Sequence, residues 1–141
     1  MYKPRRKPRK VSGIHGIIHQ ASSVDNSNCL RLLLTLGVSA NDLCNEVDKA
    51  LPLHFAVIAN CQSNVKLLME NGAKPNSQDC VGNTGLHLAV MQENREMVAL
   101  LESFGADATL ENQHGESAIK SSRGEIRQFF QSLDKYKSVT F

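Results

Sequence analysis

Leucine-rich runs punctuate the chain at even intervals, each followed within a few residues by glycine and then by a polar stretch. They are Leu32-Leu33-Leu34 before Gly37, Leu67-Leu68-Met69 before Gly72, and Leu100-Leu101 before Gly105. Clustered apolar positions of this kind predict a short helix with one buried side. The glycine supplies the positive φ that ends it. A second marker, His-x-Ala, precedes each run: His19-Gln20-Ala21, His54-Phe55-Ala56 and His87-Leu88-Ala89. Successive histidines lie 35 and 33 residues apart, and in every unit the glycine follows its histidine by 18. Two independent markers holding one register three times establish an internal repeat.

Each unit predicts two helices. Ala21, Ala56 and Ala89 keep the inner helix slim, so that neighbouring units approach closely. Val65, Leu67 and Leu68, like Val98, Leu100 and Leu101, lie on an outer helix whose apolar side seals the stack. The polar, glycine-bearing segment 76–84 predicts a projecting hairpin loop. The wider first spacing puts two extra residues between Gly37 and His54. Asp25, Asn26 and Ser27 read as the turn between the first unit's helices, and Gly13 and Gly16 as a loop entering that unit.

A fourth unit begins where the period demands it. Gly115-Glu116-Ser117-Ala118-Ile119-Lys120-Ser121-Ser122 matches Gly82-Asn83-Thr84-Gly85-Leu86-His87-Leu88-Ala89 position by position, with Lys120 in place of histidine. Segment 126–130 then corresponds to 97–101 but arrives four residues early, so this unit is shortened. Terminal repeats are expected to be atypical, because one face lacks a neighbour. The organisation read here is a basic tail at 1–12, repeats near 13–45, 46–78, 79–111 and 112–134, and a short end at 135–141.

The pattern resembles the ankyrin repeat, whose period is 33 and whose signature is T-P-L-H-x-A. It stands here as Pro52-Leu53-His54-Phe55-Ala56 and Thr84-Gly85-Leu86-His87-Leu88-Ala89, with repeat endings Asn71-Gly72-Ala73-Lys74-Pro75-Asn76 and Phe104-Gly105-Ala106-Asp107-Ala108-Thr109. The sequence departs from the pattern at Gly85 (usually proline), Leu51 (usually threonine) and Glu102 (usually apolar). The first unit keeps little of the signature. The resemblance implies an all-α ankyrin-repeat solenoid with a degenerate first and a truncated last capping repeat. It also implies that the recurring histidine is structural, tying loop to helix. Such arrays serve as non-enzymatic binding modules, among them inhibitors of transcription factors and of cyclin-dependent kinases, and scaffolding adaptors.

Composition agrees with a single domain: 141 residues, 41% hydrophobic and 21% charged, with a core of aliphatic residues because aromatics are only 5% and Trp is absent. No apolar run approaches the roughly 20 residues of a membrane span. The four cysteines show neither CxxC pairing nor metal spacing and read as reduced thiols of an intracellular protein. The net charge of +2 conceals an asymmetry, because Lys3, Arg5, Arg6, Lys7, Arg9 and Lys10 face no acid in residues 1–10. The rest of the chain carries 10 basic against 14 acidic residues. This tail resembles a nuclear import signal read by importin as an extended basic peptide, which implies a nuclear or nucleo-cytoplasmic protein. A solvated arm without a receptor and nonspecific phosphate binding are the alternatives. Nucleic acid as the main ligand fits poorly with an acidic, aromatic-poor body.

Residue chemistry nominates no enzyme and no cofactor. His54 and His87 recur once per repeat, which separates them by a repeat width and disfavours a metal site or general base. Cys61 has no visible orienting group or oxyanion site for a Cys–His nucleophile. Val139-Thr140-Phe141 reads as a frayed end, or else as a carboxylate ligand for a peptide-binding groove. Projecting loops at 41–50, 76–85 and 109–117 carry Asp42, Glu46, Asp48, Asp79, Glu111 and Glu116, opposed only by Lys49. Beside them stand the partner-facing candidates Val47, Ile58, Val81, Asn83, Met91, Gln92, Gln113 and His114. The expected partner is therefore a protein with a basic or mixed-charge segment and apolar anchors. The function read here is a small nuclear adaptor or inhibitor, the alternative being a chromatin- or nucleic-acid-associated factor that uses the tail as its main contact.

Overall fold

The computed structural model describes residues 12–25, 27–41 and 49–140, with side chains from residue 17 onward. The basic tail, Val47 and Asp48, the loop acids Asp42 and Glu46, and the two-residue insertion site before His54 lie outside the described residues. The chain runs as helix pairs: α1 Ser12–Ser23 with α2 Ser27–Thr35, α3 Pro52–Ile58 with α4 Gln62–Glu70, α5 Gly85–Met91 with α6 Arg95–Ser103, and α7 Ala118–Ser121 with α8 Gly124–Ser132. Helices α1, α3, α5 and α7 pack side by side as an inner row, while α2, α4, α6 and α8 form an outer row. Among the described residues the architecture is an all-helical solenoid. Its extended backbone pairing is a lone bridge between Glu111 and Ser117. No helix of the described residues is long and apolar enough to cross a membrane.

The repeat markers occupy the predicted places. Ala21, Ala56 and Ala89 are buried between inner helices. Pro52 opens α3 in the first turn, where its missing N–H costs nothing. Gly37, Gly72 and Gly105 take φ of 89°, 89° and 88°, the left-handed conformation that closes each outer helix. The core runs continuously from Ile18 through Leu53, Leu68, Leu86, Met97 and Leu101 to Ile119 and Phe130. Neighbouring repeats are also bonded polar group to polar group. Asn64, fully buried on α4, donates to the carbonyls of Ala21, Ser22 and Val24 and accepts from Ser27 Oγ.

Three expectations are corrected. Gly13 and Gly16 lie inside α1, not in an entry loop; helix propensity there is outweighed by docking of the helix on α3. Ser27 is the first residue of α2 and not part of the turn. Of the end read as frayed at Val139-Thr140-Phe141, Val139 packs on the core and Phe141 lies outside the described residues; just before it a 3-10 turn, Asp134–Tyr136, buries Tyr136 against Phe130, with ring centroids 5.8 Å apart. The shortening of the fourth unit takes physical form in α7, which has four residues where α3 and α5 have seven.

Candidate functional site

The histidines tie each loop to its helix. His54 Nδ1 accepts the N–H of Leu51 at 3.0 Å and Nε2 bonds the carbonyl of Ser77 at 3.1 Å. His87 repeats the arrangement, accepting from the Thr84 N–H at 3.0 Å and reaching the Glu116 carbonyl at 2.9 Å. An imidazole that accepts on one nitrogen and donates from the other must be neutral. Burial accordingly pushes His54 below its ordinary pKa, with the Asp79 carboxylate pulling part of the way back. These rings are structural pins. Cys61 Sγ is engaged with the first repeat, facing the Val24 carbonyl at 3.9 Å and the Asp25 carboxylate at 3.7 Å.

Consecutive loops are laced together. Asp79 Oδ1 accepts the N–H groups of Val81 and Asn83, both at 2.9 Å, which folds the loop tip around Gly82. The next loop then docks on it. Gln113 N–H donates to the Val81 carbonyl at 2.9 Å, Gln113 Nε2 to the Cys80 carbonyl at 2.6 Å, and Asn112 Nδ2 to Asn83 Oδ1 at 3.0 Å. Gly82 is required here: its φ is 83°, and a Cβ would sit 3.0 Å from the Asn112 backbone. His114 and Glu116 remain exposed beside this ladder.

The predicted partner-facing residues therefore fall into two groups. Asp79, Val81, Asn83, Gln113, His114 and Glu116 form the loop group, and within it the polar atoms of Asp79, Asn83 and Gln113 are engaged in the loops themselves. Ile58, Met91 and Gln92 form a second group at the far ends of the inner helices. There Gln92 Nε2 donates to the Ile58 carbonyl at 2.8 Å, and Ile58 and Met91 are 57% and 68% exposed. A seven-residue inner helix separates the groups by about 10 Å. Loop charge also differs from expectation, since Lys49 is not the only base near the acids. Lys120 folds back from α7 to bond Glu111 at 2.7 Å and the Gly115 carbonyl at 3.3 Å. This pairing holds the Glu111 carboxyl below its usual range.

Two features were not foreseen. Phe55 and Leu88 occupy the same inner-helix position and are half-buried, which extends the apolar strip between the two groups. A groove of about 460 Å³ opens where α7 stops short, lined by Val90, Met91, Arg95, Arg123, Glu125 and Ile126. The four-residue shortening was its only sequence signal. Among the described residues, no cluster of His, Cys, Asp or Glu could hold a metal ion, and Cys29, Cys61 and Cys80 are free thiols.

Comparison with known proteins agrees with this geometry. Residues 17–112 match the family model for ankyrin repeats, in three copies. The chain is 29% identical over 136 residues to the E3 ubiquitin-protein ligase KEG of Arabidopsis thaliana, covering 91% of this chain and 8% of that protein. It is 36% identical over 114 residues to the human ankyrin repeat and SOCS box protein 16, covering 77% of this chain and 24% of that protein. The chain thus spans under a third of the length of each of these relatives.

Proposed function

Because the chain belongs to the ankyrin-repeat family, whose repeats generally mediate protein–protein interaction, we propose that it is an adaptor or inhibitor that docks one protein partner along its inner helices and loops. The observation that carries this reading is the pair Ile58 and Met91. They are equivalent residues of consecutive repeats, both large and apolar, and both more than half exposed. Apolar anchors of this kind supply affinity, while the loop acids set association rate and selectivity. Glu116 beside Gln113 and His114 favours a basic or mixed-charge segment at the loop end. The partner then lies lengthwise, its apolar side chains on Ile58 and Met91 and its basic groups on the loops.

The test is affinity purification with mass spectrometry on the tagged full-length chain, followed by binding measurements with the recovered partner. Ile58→Glu with Met91→Glu is expected to abolish capture, and Lys66→Glu on the outer helix α4 to leave it intact. The reverse pattern overturns the docking face.

We also propose that Lys3, Arg5, Arg6, Lys7, Arg9 and Lys10 act as an import signal for importin, placing the protein in the nucleus. Six bases without an acid motivate this. Residues 1–12 fused to an inert cytosolic reporter should accumulate in nuclei; a reporter that stays evenly distributed overturns it.

A further inference from the structure

The fourth repeat leaves out one particular stretch, and helix boundaries locate it. Its inner helix opens on Ala118 as α5 opens on Gly85, 33 residues earlier. Its outer helix follows the N-cap Arg123 as α6 follows the N-cap Asn94, only 29 residues earlier. The residues without a counterpart are therefore those matching Val90, Met91, Gln92 and Glu93. They make up the last turn of an inner helix and the tight bend after it, where Glu93 takes a φ of 54°.

Val90, Met91 and Glu93 line one part of the 460 Å³ groove, and the fourth repeat supplies the rest, Ser121, Arg123 and Ile126 among it. The groove is thus the space of one helical turn left out of the inner row, about 5.4 Å along the helix axis. The preceding interface shows what such a turn does. There Gln92 Nε2 donates to the Ile58 carbonyl at 2.8 Å, and Asn94 Nδ2 to Asn60 Oδ1 at 2.6 Å. Met91 is the equivalent of Ile58, but the counterpart of Gln92 is absent, and among the described residues no donor reaches the Met91 carbonyl. The charges around the groove are open as well. Glu93, Arg95, Arg123 and Glu125 are all exposed, and the ion pairs of the described residues include none of them.

We infer that this groove receives one turn of a helix from the protein partner, in the place that the shortened α7 leaves. The inference rests on the docking reading above, in which Met91 is already an anchor, and adds a subsite to it. A helix is the fitting occupant because the space has the shape of a helical turn in a register the chain uses internally. It also satisfies its own backbone, whereas an extended segment would bring unpaired backbone groups against walls of helix side chains. An apolar residue of that turn packs on Val90, Met91 and Ile126, and a polar side chain beside it donates to the Met91 carbonyl. The open charges call for both signs on the partner, carboxylates toward Arg95 and Arg123 and bases toward Glu93 and Glu125. The rim thereby selects a mixed-charge helix over a purely apolar one.

The experiment places a photoreactive benzophenone side chain in the tagged full-length chain at Ser121 in the groove, at Ile58 on the strip, or at Lys66 on α4. Each protein is irradiated in cell extract and its adducts are mapped by mass spectrometry. The Ser121 and Ile58 probes are expected to join the same protein, and the Lys66 probe not to. The segment joined to Ser121 is then made as a synthetic peptide, which should gain helical circular dichroism on binding. Copying Val90-Met91-Gln92-Glu93 into the chain after Ser122 restores the full turn and closes the groove. That insertion should weaken peptide binding by about tenfold or more, and Arg123→Glu should weaken it too. Melting checks that the variants fold; should the insertion not fold, Ser121→Trp fills the groove at unchanged length and decides instead. Capture by the Ile58 probe without the Ser121 probe overturns the inference and leaves the docking reading standing. Capture by neither overturns both. An adduct of Ser121 with a second copy, a bound segment that is not helical, or binding indifferent to the filled groove also overturns it.

Discussion

The hydroxyl of Tyr136 donates to the carboxylate of Glu102 at 2.7 Å while accepting the N–H of Ala108 at 2.9 Å. Glu102 occupies an outer-helix position that is usually apolar, and it is buried. Its charge is met by Tyr136 on one oxygen and by Lys135 on the other. Burial, reinforced by the neighbouring carboxylate, pushes the Tyr136 hydroxyl well above its ordinary pKa, so it remains a donor throughout the accessible pH range. A buried carboxylate is costly unless its partners are complete. The C-terminal turn therefore acts as a latch that the third repeat requires.

Tyr136→Phe should cost about 1–3 kcal/mol in urea denaturation, because both the Glu102 oxygen and the Ala108 N–H lose their partner inside the protein. Glu102→Leu combined with Tyr136→Phe should cost less than the sum of the two single changes. A double-mutant cycle measures that difference directly. Additive losses would mean that the two groups are not coupled.

Ala89 is fully buried where α5 meets its neighbours in the inner row. Ala89→Leu adds three carbons to a gap that the small side chain keeps closed, so a loss of about 1–3 kcal/mol is expected. Chemical denaturation with an unchanged m-value is the check. A neutral result would mean that the inner helices can separate at no cost.

The repeat was legible because its markers, histidine, alanine and glycine, each answer a local demand that recurs in every unit. Glu102 was not legible as a paired group, since Tyr136 and Lys135 lie more than thirty residues further on. The chain end therefore reads as spare when taken alone. The partner-facing residues read as one surface because sequence alignment gives register but not depth. Only the length of the inner helix shows that Ile58 and Met91 stand apart from the loops. Asp79 illustrates the same limit. An Asp two residues before Val81 is a turn-capping signal as much as a binding acid, and the structure engages Oδ1 in the turn. The groove beside Val90 was hidden for another reason. Four missing residues announce a shorter unit but not which surface the lost helical turn would have covered.

His54 makes stability depend on pH with a definite sign. Its folded pKa lies below the unfolded value of about 6.5. The folded state therefore binds fewer protons than the unfolded state as pH falls below that value, and stability declines on acidification. Protonation of Nδ1 would also forfeit the bond from the Leu51 N–H. Urea denaturation at pH 7 and pH 5 should show a drop for the wild type. His54→Phe should be less stable at pH 7 yet lose less between the two. An equal drop in both proteins would assign the pH dependence to other groups.

Asn64 decides how firmly the first repeat is held. Its amide donates to three carbonyls at the end of α1 and in the following turn, at 3.3, 2.9 and 2.8 Å, and accepts from Ser27 Oγ at 3.0 Å. One fully buried side chain thus satisfies the carbonyls that the end of a helix leaves open. The corresponding residue of the third repeat is Met97, and there the second and third repeats are joined instead by Gln92 Nε2 donating to the Ile58 carbonyl at 2.8 Å and Asn94 Nδ2 to Asn60 Oδ1 at 2.6 Å. Asn64→Ala leaves several buried acceptors unpaired, for an expected cost of about 1–3 kcal/mol. In a stack whose stability is shared between nearest neighbours, that cost falls on the repeat that loses its anchor. Hydrogen exchange should therefore accelerate through α1 and α2 while α5, α6 and α8 keep their protection. Uniform acceleration along the whole chain would show that the four repeats open as one unit and that Asn64 is not a local anchor.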